Sequence, residues 1–343
     1  MSRVPDGPVR VTGRGPGVVV VGSITADVTS FSERLPVRGE TVLGHDFTLL
    51  TGGKGANQAI AAARAGTATW LAACVGSDLL AGVVLDGLSV EGVDTSSVLT
   101  VPGPTGVAHI RVDASGENDI VMVPLANAHL TPQRAEQALD GVGDRAGVLL
   151  LQLEIPVATA VHAARLGRER GYIVILDPAP APVHPLDPAV WSFIDVVTPN
   201  EAEAGRLTGV PVVDFESAAR AGQWFLDRGV RAAVVTLAGQ GACVVTSEGA
   251  VHHPSFAVDP VDTTAAGDAF AGQLGACLAA GMAWEAALVR AMAAGALAVT
   301  VAGASPSLPT AAEVDTFLAR VHAPPSPSPT DAGGPARGTG ARP

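Results

Sequence analysis

Short apolar runs keep alternating with alanine-rich, helix-like stretches along most of this chain, and that alternation leaves few folds open. The runs "GVVVVGS" (17–23), "GVLLLQLE" (147–154), "YIVILDPAP" (172–180), "IDVVTPN" (194–200) and "AAVVTLAG" (232–239) have the length and composition of strands buried on both faces. Helix-like segments at 55–66, 157–170, 201–208, 215–228, 267–281 and 284–300 follow most of them. A strand that returns through a helix to a parallel neighbour builds an α/β fold. The expected architecture is a mostly parallel sheet sandwiched between helices. The 343 residues, 48% of them hydrophobic, can fill the core of one large domain.

Two regions break the rhythm. Residues 27–51 and 105–124 alternate polar and apolar residues with turn residues between, and no helix separates their strands. "TGVAHIRVDASGENDIVMV" reads as a hairpin around "ASGEN". Together these pieces predict a small β-sheet beside the carboxyl ends of the parallel strands, placed to act as a lid. The two ends, 1–16 and 322–343, are rich in Pro, Gly and Ser and are expected to be disordered tails. The folded domain is expected over 17–321.

A net charge of −12 argues against a general nucleic-acid binder, which needs a basic face for phosphates. Mean hydropathy is positive (+0.35), but the apolar stretches are Ala- and Gly-rich and interrupted by Gln273, Glu285 and Arg290, which disfavours a spanning helix and any membrane partner. Cys74, Cys243 and Cys277 are scattered, without metal spacing, and no signal pattern opens the chain, so a cytoplasmic protein is expected. Lys54 is the only lysine beside 20 arginines.

In open α/β sheets, ligands bind beyond the carboxyl ends of the strands. The residues just after the expected strands include Asp27, Glu154, Asn200 with Glu203, and Asp262 with Asp268. All are acidic or amide groups, and no Ser–His–Asp set lies among them. That chemistry suits a hydroxyl-rich ligand or a metal-bound phosphate better than acyl transfer. Taken singly, each is more readily a helix cap or a turn residue; their shared position is what favours a functional site.

In "DTTAAGDAF" (262–270) two aspartates bracket five small residues, and an uncharged helix follows. The first turn of a helix presents unpaired N–H groups and the positive end of the dipole, and small side chains let an anion come close. A carboxylate there can take a proton from an attacking hydroxyl, a contribution of roughly 10²–10⁴-fold. On spacing alone the alternative, that Asp262 or Asp268 caps the helix, stands even with it. "GGKGANQAIAAARAG" (52–66) has the same grammar of glycines before an alanine-rich helix, but matches neither the Walker A spacing nor G-x-G-x-x-G. Its bland alternative is a glycine turn into a packed helix.

Together the two stretches resemble the two signatures of the ribokinase family, the phosphofructokinase-B type carbohydrate kinases. Supporting similarities run in family order: "VVGSITAD" (20–27), "PTGVA" (104–108), "LLQLEIP" (150–156), "LDPAPA" (176–181), "TPNEAEA" (198–204), "VTLAGQGA" (235–242) and "AGASPSLP" (302–309). The resemblance spans about 17–320. It implies ATP-dependent transfer of the γ-phosphoryl group, with Mg²⁺, to a primary hydroxyl of a small sugar, ribose to ribose 5-phosphate in the first place. It implies Asp268 as base and the amides of Ala265, Ala266 and Gly267 as an anion hole. Thr25, Asp27, Gly53, Lys54, Asn57 and Glu154 match sugar-side positions. Asn200, Thr236, Ala238, Gly239, Gly241, Gly267 and Met292 match nucleotide-side positions, and Glu203 matches a residue that organises Mg²⁺ through water. Asp262, Thr264, Ala298, Val301, Gly303 and Ser307 match a loop pair that holds a monovalent cation, usually K⁺. A homodimer through the exposed strand edges of the lid is also expected.

Three positions depart from the family pattern. Thr25 stands where the ribose kinases usually carry Asn, which keeps other acceptors (a nucleoside, fructose or 2-deoxyribose) open as alternatives. Ala238 stands where Gly is common, a mild change unless that backbone needs a positive φ. Met292 stands where a His often lies beside adenine; a thioether can still pack on a flat ring. A non-catalytic sugar or nucleotide sensor is the remaining alternative, disfavoured by the retained Asp268 and its small-residue neighbours.

Overall fold

The apolar runs and the helices between them build a nine-stranded sheet covered on both faces. The structure, a computed structural model, describes residues 7–9 and 14–322. In chain order the elements are β1 (Gly17–Val21), β2 (Thr25–Ser32), β3 (Gly44–Gly52), α1 (Lys54–Arg64), β4 (Thr69–Val75), α2 (Leu79–Val90), β5 (Val93–Thr100), β6 (Gly106–Val112), β7 (Asn118–Val123), α3 (Pro132–Val142), β8 (Ala146–Leu151), α4 (Val157–Glu169), β9 (Ile173–Leu176), β10 (Val196–Val197), α5 (Glu201–Thr208), α6 (Phe215–Leu226), β11 (Ala232–Thr236), β12 (Ala242–Thr246), β13 (Gly249–His253), α7 (Ala266–Ala279), α8 (Trp284–Ala298) and α9 (Ala311–His322).

The large sheet has the order β13-β12-β11-β10-β9-β8-β1-β4-β5. Its pairs from β11 to β5 are parallel, and only the β11-β12-β13 edge runs antiparallel. The continuous valine run of β1 follows from this position: Val18 and Val20 enter one core, with α1, α2, α7 and α8, while Val19 and Val21 enter the other, with α3, α4 and α6. A strand buried on both faces cannot show a polar alternation. Residues 69–100 add β4, α2 and β5 to the alternation expected from sequence, and 132–142 adds α3.

The small sheet has the order β3-β2-β6-β7. β6 and β7 are the expected hairpin, with Asp113 Oδ1 accepting the Ser115 and Glu117 amides in the turn. β2 pairs antiparallel with β3 and parallel with β6. The register sets Asp27 opposite Leu50 and Ala108, and Thr25 opposite Gly52 and Gly106.

Some expected bounds are corrected. Irregular loop takes over early: β9 ends at Leu176 rather than at 180, and β10 is only two residues long. The described part of 1–16 is packed rather than loose. Val9 is buried in the core beside α8, and the Arg14 guanidinium donates to the carbonyls of Ala146, Arg170 and Gly143 while stacking 4.0 Å over the Tyr172 ring. The rest of that segment, and 323–343 at the other end, lie outside the described residues.

Candidate active site

The site forms where the carboxyl ends of β1, β8, β9 and β10 meet the N-termini of α1, α5 and α7. Two helix starts converge because glycine removes the barrier between them. A Cβ on Gly272 of α7 would sit 2.5 Å from Ala61 Cβ and 2.6 Å from Gln58 O of α1, so only glycine lets the two helices approach this closely. Gly53 opens α1 at φ 88°, and a Cβ there would press on the backbone of Ile24 and Thr25.

Asp268, in the first turn of α7, is 3% exposed. Its Oδ2 accepts from Asn57 Nδ2 at 3.0 Å and its Oδ1 from Gln58 Nε2 at 3.1 Å. Lys54 Nζ stands 3.9 Å from Asp268 Oδ1 and 3.8 Å from Asp177 Oδ2. Burial opposes the Lys54 charge, but Asp268, Asp177, Glu154 and Glu203 outweigh it and raise the pKa above the ordinary lysine value. The ammonium therefore stays charged at any working pH.

At the start of β2, Thr25 Oγ1 donates to Asp27 Oδ1 at 2.6 Å. Burial pushes the Asp27 carboxyl up to about 6; the Thr25 bond works against that rise, and the nearby Glu154 and Asp268 add to it. A Cβ on Gly52 would fall within 2.0 Å of the Asp27 carboxylate, so the glycine keeps that face open. Glu154 Oε2 accepts from Ser23 Oγ at 2.5 Å and from the Lys54 amide at 2.9 Å, which locks the glycine turn to the end of β8.

Ala265 takes the left-handed conformation, φ 61°, at the N-cap of α7. The amide of Ala266 reaches Thr263 O only at 3.4 Å. Among the described residues the amides of Ala265, Gly267 and Asp268 have no partner within the protein. A row of free N–H groups beside a buried carboxylate is the arrangement that an anion hole next to a base requires.

Of the remaining expected positions, Glu203 lies near enough to Lys54 and Asp177 to act on their charges. Asn200 and Glu203 form a reciprocal capping box at α5, Asn200 Oδ1 accepting the Glu203 amide (2.9 Å) and Glu203 Oε2 the Asn200 amide (3.0 Å). Asn200 bridges to Thr236 at the end of β11. Ala238 has φ 45°, so the substitution of Ala for the common Gly is not mild; this backbone sits where an L-residue is strained. Gly241 is required at φ 97°, since a Cβ would strike His253 O at 2.0 Å. Gly239 is exposed in the same turn, and Met292 is half-buried on α8 against the core.

Asp262 ties two loops together. Its Oδ1 accepts the Thr264 amide and hydroxyl (2.9 and 2.6 Å), and its Oδ2 accepts the Gly303 amide at 2.8 Å. These bonds outweigh burial and hold its carboxyl below the usual range. Val301 and Gly303 lie on the second loop, Ala298 ends α8, and the Ser307 hydroxyl donates to Ala304 O.

Three residues outside the expected set join the site. Asp177, 5% exposed, accepts from Gln58 Nε2 at 2.8 Å, and Gln152 Nε2 donates to Gln58 Oε1. Asp177 obeys the same rule that points to Asp27 and Glu154, a carboxylate just past a strand. Reading 172–180 as one strand conceals it, because β9 ends one residue before it.

The family model described as pfkB family carbohydrate kinase matches residues 16–311. A ribokinase of Haemophilus influenzae is 38% identical over 302 residues, 88% of this chain and 98% of the relative. A deoxyribokinase of Salmonella typhi is 34% identical over the same shares. The solved structure of Arabidopsis thaliana ribokinase complexed with ribose and ATP is similar at TM-score 0.79 and 32% identity, covering 89% of this chain and 99% of that one. The nine-stranded sheet, the small second sheet and the buried carboxylate at a helix start therefore have a family: this chain belongs to the pfkB family of carbohydrate kinases, phosphotransferases that act on a sugar hydroxyl.

Proposed function

We propose that this protein is an ATP-dependent ribose kinase that forms ribose 5-phosphate, acting as one kinase domain over about residues 17–321. The observation that carries the reading is the buried Asp268 carboxylate beside the unpartnered amides at the start of α7. The ribokinase relatives, one of them solved with ribose and ATP, supply the acceptor and the donor.

Asp268 accepts the proton of the attacking primary hydroxyl, and the amides of Ala265, Ala266 and Gly267 take up the charge on the phosphoryl group in flight. Asn57 and Lys54 orient the Asp268 carboxylate, while Asp27, Gly53 and Glu154 hold the sugar. Asn200, Thr236, Ala238, Gly239, Gly241 and Met292 line the nucleotide side. The lid of β2, β3, β6 and β7 closes over the sugar and keeps water from competing for the phosphoryl group.

Glu203 suits a water-shelled Mg²⁺, because the box leaves its second carboxylate oxygen free and Mg²⁺ prefers oxygen ligands with several retained waters. When bound with ATP, Mg²⁺ neutralises phosphate charge. Asp262 supplies a negative charge between two loops, which suits a monovalent cation; Thr264, Ala298, Val301, Gly303 and Ser307 complete that site, and K⁺ bound there would stiffen the loop that carries the anion hole. The enzyme acts as a homodimer in the cytoplasm, where ATP is supplied and its three buried thiols stay reduced.

A second acceptor, 2-deoxyribose, is favoured by one observation: Thr25 spends its hydroxyl proton on Asp27 and offers no amide to a sugar hydroxyl. The test is ADP release over ribose, 2-deoxyribose, fructose and nucleosides, in K⁺ and in Na⁺. Ribose is expected to give the highest kcat/KM, with K⁺ activating. Asp268→Asn is expected to lose at least about 10²-fold in kcat while still binding ATP. Turnover of no sugar, or an Asp268→Asn variant at wild-type rate, overturns the reading. Equal rates in K⁺ and Na⁺ remove the cation site.

A further inference from the structure

Asp177 is a buried carboxylate that the phosphoryl transfer described above does not use. It lies at the end of β9, yet both of its polar contacts are to α1, and both continue to Asp268 on α7. Gln58 spends one N–H on Asp177 Oδ2 (2.8 Å) and the other on Asp268 Oδ1 (3.1 Å), while its oxygen accepts from Gln152. The amide cannot turn over, because its oxygen would then face two carboxylates. Lys54 Nζ makes a second bridge, 3.8 Å from one carboxylate and 3.9 Å from the other. Two negative groups thus share one ammonium and one amide.

We propose that Asp177 is a positioning residue that, through Gln58 and Lys54, aims the Asp268 carboxylate and sets how much of the Lys54 charge it feels. This rests on Asp268 being the base. With Asp177 ionised, Lys54 is divided between two partners and Asp268 keeps a like charge beside it, which offsets part of the lysine's pull. Asp177 faces Lys54 from α1, Asp268 from α7, Glu203 from α5 and Glu154 from the segment after β8. Asp268 faces Lys54, Asn57 and Gln58 from α1, and Asp27 from β2. Burial among these groups raises the Asp177 carboxyl in spite of Lys54, which marks it as the partner that yields its charge as pH falls.

The test is the pH profile of kcat/KM for ribose in Asp177→Asn, Asp177→Ser and Asp177→Glu. Removing the charge leaves Lys54 to Asp268 alone. In the wild type the upper part of the acid limb is the loss of the Asp177 charge; both neutral variants lack that step, and their limb is expected to begin about one pH unit lower. Plateau kcat should fall about tenfold as the base weakens, with KM for ATP unchanged. Asp177→Glu restores the charge and is expected to keep the wild-type limb. A wild-type limb in whichever neutral variant folds overturns the proposal, as does an Asp177→Glu limb displaced as far as that of Asp177→Asn. A residue that merely braces β9 against α1 would lower thermal stability without moving the limb. Wild-type turnover by Asp268→Asn would instead sink the base assignment itself; an inactive Asp268→Asn with unmoved Asp177 profiles sinks the positioning role alone.

Discussion

At the scale of single residues, burial decides what each carboxylate can do. Asp268 and Asp262 are both Asp in one short motif, yet one is sealed against α1 and the other ties Thr264 to Gly303. Asp27 is the group whose charge should be visible in solution. Its carboxyl is pushed up to about 6 by burial. The sign follows from linkage: an acid raised in the folded state favours folding at low pH and loses that advantage as pH rises through about 6. In the proposed role, Asp27 accepts from sugar hydroxyls most strongly as the carboxylate, because protonation removes the charge and turns one acceptor into a donor. Ribose affinity, measured by calorimetry, is therefore expected to weaken toward tenfold per unit as pH falls below about 6. Asp27→Asn is expected to bind ribose weakly with no such slope; a variant with the wild-type slope would clear Asp27 of the effect. Lys54 is conspicuous in the sequence as the only lysine, but its division between Asp177 and Asp268 depends on three elements meeting.

Between elements, the decisive contact is α1 against α7. Both signatures are legible as glycines before alanine-rich helices, and each alone has a bland reading as a turn or a cap. What separates the readings is that Gly272 brings the two helix starts within reach of one another, so that Asn57 and Gln58 meet Asp268. Gly272→Ala should push the helices apart. The added methyl would gain about 1 kcal/mol of helix propensity but overpack against Ala61 Cβ and the Gln58 backbone, so a net loss of about 1–2 kcal/mol is expected in urea unfolding. Because the shift is transmitted to Asp268, kcat should fall by about tenfold or more, since small misplacements of reacting groups are costly. An unchanged kcat would show that the helix spacing does not govern the base. The capping box of Asn200 and Glu203 is the contrary case: its spacing is readable as local helix chemistry, and the same two side chains sit on the rim of the site.

For the molecule as a whole, the lid is the element that faces two ways. Its register places Asp27 on the same face as Leu50, Ala108 and Met122, with Ile110 and Ile120 further out. Ile120 is half exposed on the outer strand β7, an apolar outer zone on the face that carries Asp27. A second lid packed there would cover the apolar outer zone and the open strand edges at once. Sedimentation is expected to give a dimer for the wild type and a monomer for Ile120→Glu; a monomeric wild type rules the homodimer out. Among the described residues no helix is long and apolar enough to cross a membrane, although mean hydropathy is positive. Alanine-rich α7 is apolar because β8, α1 and α8 bury it, not because lipid surrounds it.

By itself the sequence determined the layer architecture, the lid and the chemical character of the site. Those depend on local periodicity, on runs of β-branched residues and on glycine and carboxylate placement, all of which are properties of neighbouring residues. Only the tertiary structure decided which carboxylates share Lys54, that Asp177 belongs beside Asp268, and that Ala238 occupies a positive φ. Residues 54, 58, 177 and 268 are brought together by parallel strands and helix packing across more than two hundred positions, a distance over which spacing carries no information.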